Sequence, residues 1–188
     1  MKNLHYLLCI TTVLLMAYSC GGSKSAVGVN GDIELILPCT GPEYNSDKEH
    51  FRSTMYSIST DMGTAKSKAL NSARAELATS MNALVERTND TYTSSYQSGE
   101  EEDVKIRIND LSRTIVKERL TNSRIICEKM MKTQDSKYRC YITVEVSSED
   151  ILNGMKNKLM NDEKLRTDFE YEKYKKIFDE EMGKLNNE

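Results

Sequence analysis

No tryptophan occurs in the 188 residues, and phenylalanine appears only 3 times. A chain so poor in large rings builds its core from Leu, Ile, Val, Met, Ala and Tyr. It also lacks the aromatic platforms that cage cations or stack on sugars. Histidine is scarce: His5 lies in the apolar leader, and His50 stands alone in the remainder. The common zinc sites built on paired histidines therefore cannot be assembled, and no metal or cofactor is expected. There is no P-loop, no G-x-S-x-G and no H-E-x-x-H, and 9 glycines are too few for phosphate cradles. An excess of positive charge is missing as well. Set against 29 acidic residues, 26 basic ones leave a net charge of −3, which argues against a nucleic-acid partner. Nor does any stretch after residue 16 approach the roughly 20 apolar residues of a membrane span.

What is present begins with an export signal. Lys2 supplies the positive charge, residues 7–16 (LLCITTVLLM) the short apolar run, and Ala17, Tyr18 and Ser19 the small-residue end of residues 1–19. Cys20 follows at once. The segment resembles a bacterial lipobox, in which the thiol is acylated before cleavage and the cysteine becomes the mature N-terminus. Ala17 stands where that pattern favours Leu, and Tyr18 is bulkier than usual. Ordinary signal cleavage would cut the same bond and leave a free thiol. Two or three acyl chains would anchor the protein firmly to a membrane, because each buried CH₂ contributes about 0.8 kcal/mol. Removal of residues 1–19 takes away Lys2 and no acid, so the 26 basic residues become 25 against 29 acidic ones, a net of −4.

Residues 20–31 (CGGSKSAVGVNG) read as a tether, residues 32–160 as one domain and residues 161–188 as an amphipathic, charged C-terminal helix. Within the domain, residues 32–38 (DIELILP) suit an edge-like strand closed by Pro38, and residues 39–47 a turn-rich loop. Residues 50–58 form a strand, and Ser59, Thr60 and Asp61 offer caps for the helix that follows. That helix runs to about Thr88, with Met62, Ala65, Ala69, Ala73, Leu77, Met81 and Leu84 on one stripe. Alanines four apart let a helix backbone approach a sheet closely. Residues 91–98 turn the chain, and Ser98 with Glu101 makes a capping box for a helix burying Val104, Ile108, Leu111, Ile115, Val116 and Leu120.

Residues 124–132 and 138–146 form a hairpin with its turn near Gln134. Tyr138, Cys140, Ile142, Val144 and Val146 alternate with polar positions, the period of a half-buried strand. A helix from about Glu149 buries Ile151, Leu152, Met155 and Leu159. The C-terminal stripe of Leu165, Phe169, Tyr174, Phe178, Met182 and Leu185 either folds back on the domain or seeks another helix. The order βααββα predicts an α+β fold, a small antiparallel sheet with helices on one face.

Cysteine use suits an oxidising compartment. Once Cys9 leaves and Cys20 is acylated, Cys39, Cys127 and Cys140 remain, so at most one internal bridge can form. With the turn near Gln134, Cys127 and Cys140 lie close to opposite each other. Cys39 bonded to either would staple the N-terminal loop to the sheet, and buried apolar thiols are the alternative.

Residues 65–78 (AKSKALNSARAELA), placed between the strand at Phe51-Arg52 and the strand over 138–146, resemble the Lpp-twenty lipoprotein family. Leu37-Pro38-Cys39, Ser46-Asp47 and Phe51-Arg52 are similar to its Bacteroidetes-type relatives, and the likeness covers roughly residues 35 to 150. The resemblance implies a small envelope lipoprotein with a βααββα domain, no established enzymatic activity and no catalytic residues to carry over. Met62-Gly63 departs from the pattern at the helix start.

The expected function is a non-enzymatic, lipid-anchored envelope protein whose domain binds another protein or itself. Gly21 is not the Asp that retains some lipoproteins at an inner membrane, and residues 21–25 lack the acidic cluster of a surface-export tag. The expected location is therefore the outer membrane, facing the periplasm. The competing reading is a small-ligand carrier or hydrolase using a cleft between helix and sheet. A deep pocket with converging carboxylates would favour it.

Overall fold

The structure is a computed structural model, and it describes residues 35–94, 101–163, 165 and 169–185. The leader, Cys20, the tether, residues 32–34 of the expected first strand and the Ser98 cap all lie outside the described residues. From Leu37 onward the chain forms one compact unit.

Its strands are β1 (His50–Ser59), β2 (Arg124–Lys132) and β3 (Tyr138–Ser147), and its helices α1 (Met62–Thr93), α2 (Glu101–Thr121), α3 (Ser148–Met160) and α4 (Tyr171–Lys184). β3 is central, paired antiparallel to β1 on one side and β2 on the other. The fold is α+β. Residues 35–37 are not a strand. The chain turns at Pro38 and Cys39, and the Cys39 backbone takes a left-handed φ of 58°.

α1 lies on the sheet because its contact stripe is nearly flat. Ala65, Ala69 and Ala73 are fully buried, and the Ser57 hydroxyl on β1 donates to the Ala65 carbonyl at 2.9 Å. Asp61 caps the helix by accepting from the Thr64 amide at 2.7 Å. A helix of 32 residues is about 48 Å long, whereas strands of 10 residues reach only about 33 Å. The far end of α1 therefore overhangs the sheet, and α2 and α4 close around it.

This overhang explains why α1 extends beyond Thr88. Thr88, Asn89, Tyr92 and Thr93 all face inward, against the expectation of a turn at 91–98. The Asn89 amide donates to Asn109 Oδ1 at 2.7 Å and Ser112 Oγ at 3.0 Å, and its oxygen accepts from the Tyr174 hydroxyl at 2.8 Å. Tyr92, Phe169 and Tyr174 pack as a ring cluster beside it, with centroids 5.4 to 5.5 Å apart. Burial, and then Tyr92, pushes the Tyr174 phenol far above its ordinary range.

α4 folds back, so the C-terminal segment belongs to the domain core: Tyr174, Phe178 and Met182 are fully buried, and Phe178 meets Phe51 on β1. α3 packs on α2, where Gly154 permits close approach. A Cβ there would lie 2.7 Å from Ile115 Cγ2.

The uncovered sheet face as candidate functional site

All four helices lie on one side of the sheet. Residues Phe51, Ser53, Cys140, Ile142, Val144 and Val146 point into that side, as the registers Phe51↔Val146 and Ser53↔Val144 require. The other face carries Arg52, Thr54, Tyr56 and Ile58 from β1. Beside them stand Glu145, Thr143, Tyr141 and Arg139 from β3, and Cys127, Lys129 and Met131 from β2. Among the described residues, only the loop before β1 crosses it.

Three contacts fasten that loop. Cys39 is joined to Cys127 by a disulfide, its carbonyl accepts from the Thr54 hydroxyl at 3.2 Å, and Tyr44 packs with both cysteines and Tyr141. The hairpin register separates Cys127 from Cys140. Cys127 pairs with Thr143, and it is Met130 that stands opposite Cys140. The expected juxtaposition fails because the turn centres one residue later than Gln134, which places Thr143 opposite Cys127. Thr143 and Cys140 are three positions apart on β3, so Cys127 and Cys140 emerge on opposite faces. Cys140 is thus buried on the helix side as a free thiol, its pKa raised by burial and secondarily by Glu128.

At one end of the face an ion network ties loop to sheet. Arg52 donates through Nε to Glu145 Oε2 at 2.7 Å and through Nη1 to Asp47 Oδ2 at 2.6 Å, and Arg124 Nη2 reaches Glu145 Oε1 at 2.6 Å. Asp47 Oδ1 also accepts the amides of Glu49 and His50, both at 2.8 Å. Ser46 Oγ bridges the Arg52 amide at 2.9 Å and its carbonyl at 3.1 Å. Burial pushes the Glu145 carboxyl up, but the hydrogen bonds from Arg124 and Arg52 outweigh it and leave the pKa lowered. Asp47 is lowered in the same way, burial being overcome by the Glu49 amide and the Arg52 guanidinium. The His50 imidazole stands 3.6 Å from Asp47 and 4.0 Å from Glu145, too far for a side-chain hydrogen bond to either.

Chemically this network is a tie. A general base must accept a proton near working pH, and Glu145 is held ionised with both oxygens engaged by guanidinium groups. Its members were not singled out by sequence reasoning as a set, since Arg52 and Glu145 lie 93 positions apart. The only hint was the likeness carried by Cys39, Ser46-Asp47 and Phe51-Arg52, four of which now appear as loop fasteners.

The opposite end of the face is open. Tyr56 is 56% exposed and Met131 48%, with Ile58 and Lys129 exposed beside them. Among the described residues no group of three or more His, Cys, Asp and Glu could hold a metal ion, and no helix is long and apolar enough to cross a membrane. No family model matches the chain, and no curated protein matches it.

Proposed function

We propose that the protein is an envelope lipoprotein, acylated on Cys20 and held at the outer membrane facing the periplasm, with a non-enzymatic binding role. The observation that carries this reading is the sequence order at the N-terminus: Lys2, the apolar run over 7–16, Ala17-Tyr18-Ser19 and then Cys20. Gly21 and the absence of acids in residues 21–25 favour the outer membrane. A cross-linked, tightly tied loop accords with an oxidising compartment. The C-terminal apolar stripe is consumed inside the domain, so a partner would meet the uncovered sheet face instead. Tyr, Met and Ile exposed together there suit recognition better than catalysis. Intact-mass analysis of protein extracted from the membrane fraction should show a diacylglyceryl and N-acyl increment on residue 20, lost in Cys20→Ser. An unmodified Cys20 in protein free of the membrane would overturn the reading.

A further inference from the structure

The open end of the sheet face combines three features. Tyr56 and Ile58 on β1 and Met131 on β2 are exposed apolar side chains on this face, flanking Arg139 of the central strand. Lys129 and Arg139 share that face, Lys132 sits at the hairpin end, and none of the three has a carboxylate partner among the described residues. Arg139 stacks over the Tyr56 ring at 5.9 Å, and its Nε is buried without a hydrogen-bond partner. It borders a hollow of about 380 Å³ shared with Met131, Lys132, Thr133 and Gln134. The nearby Asp135 is already engaged by Lys137 and Thr133, which lower its pKa to about 2.

We infer that this end of the sheet lies on an anionic phospholipid surface, with Lys129, Lys132 and Arg139 against headgroup phosphates and Tyr56, Ile58 and Met131 at the acyl boundary. Three arguments select a bilayer as the occupant. The first is charge: a molecule of net charge −3 approaches an anionic surface most readily where cations stand without carboxylate partners, as Lys129, Lys132 and Arg139 do at this end. The second is composition, since tyrosine and basic residues around a few aliphatic side chains match the headgroup region. The third is covalent. Cys39, nineteen positions on from Cys20, is fixed to this same face by its bond to Cys127, so the anchored end joins the domain on the side that carries Tyr56, Ile58 and Met131. The last argument rests on the proposed acylation; the first two do not.

The absence of tryptophan makes the test direct. In the full chain, Met131→Trp places a single reporter on this end of the face, and Ile106→Trp places one on an exposed site of α2. With phosphatidylcholine vesicles containing phosphatidylglycerol, emission from position 131 should shift to the blue and be quenched by brominated lipid, while position 106 stays unchanged. Lys129→Gln, Lys132→Gln and Arg139→Gln together should weaken binding of the Cys20→Ser chain to these vesicles by about 100-fold, at roughly fivefold per cation. Equal responses at both positions, or indifference to phosphatidylglycerol, would refute the inference. A blue shift without vesicles that grows with protein concentration would assign the face to a second copy and refute it too. Intact mass of the same samples reports acylation separately, so loss of the anchor with a retained response at position 131 would fault only the lipoprotein reading.

Discussion

The two faces of this sheet are held by different physics. On the helix side, Phe51, Cys140, Ile142 and Val144 are sealed under the alanine stripe of α1, and the stabilisation comes from apolar area removed from water. On the other side one loop is held by a covalent bond, by the Arg52 guanidinium on Asp47 and by the Thr54 hydroxyl on the Cys39 carbonyl. The first arrangement is indifferent to redox state and largely so to pH, and the second responds to both. A thin domain with too few helices to cover both faces can thus be made of one packed layer and one fastened layer.

Substitutions should separate these contributions. The largest effect is expected on the packed face: Phe51→Ala should cost about 3–5 kcal/mol in urea unfolding, by removing a buried ring and leaving a cavity. A smaller value would mean that Phe178 and α4 collapse into the space. Next, Cys39→Ser combined with Cys127→Ser should cost about 2–4 kcal/mol, because a bond between residues separated by 88 positions restricts the unfolded chain. Adding reductant should bring the parent down to the double variant and leave the variant unchanged. Non-reducing peptide mapping should find Cys39 joined to Cys127 and only Cys140 alkylated after unfolding.

The ion network should contribute less, with Glu145→Gln costing about 1–3 kcal/mol at neutral pH. Asp47 and Glu145 both have lowered pKa values in the fold, so across the acid range the unfolded chain binds more protons. The stability they supply is complete above the unfolded carboxyl values, near pH 4, and is lost as pH falls through the lower folded ones. Glu145→Gln should flatten that acid limb. Least affected should be the open end, where Met131→Gln is expected to change stability by no more than about 0.5 kcal/mol.

The packed face was the legible one. Alternation over 138–146 and the i, i+4 alanines announce a strand with one face in the core and a close-packed helix, because each is a local periodicity. The burial of Tyr141, Thr143 and Glu145 on the other face, against the expected half-buried strand, does not show in the alternation. The fold class follows from their order. The fastened face was largely hidden. Arg52, Arg124 and Glu145 come together only through strand pairing, and which residue stands opposite Cys127 depends on a turn centred one residue later than expected. The extension of α1 to Thr93 was missed for another reason. Its inward residues there include Thr88, Asn89 and Thr93, polar side chains that a hydrophobic pattern assigns to a loop. Thr88 and Thr93 donate to the Leu84 and Asn89 carbonyls, and the Asn89 amide pairs with Asn109, Ser112 and Tyr174.

The Cys39–Cys127 bond also decides how the domain would respond to a pull. Tension applied at the amino end and resisted at the carboxyl end passes from Cys39 directly into β2. The intervening β1, α1 and α2 become a slack covalent loop that bears none of it. While the bond is oxidised, the load falls on the β2–β3 hairpin, which it can open only from the end where Cys127 pairs with Thr143. Once it is reduced, the same force reaches β1 at the edge and can peel it strand by strand.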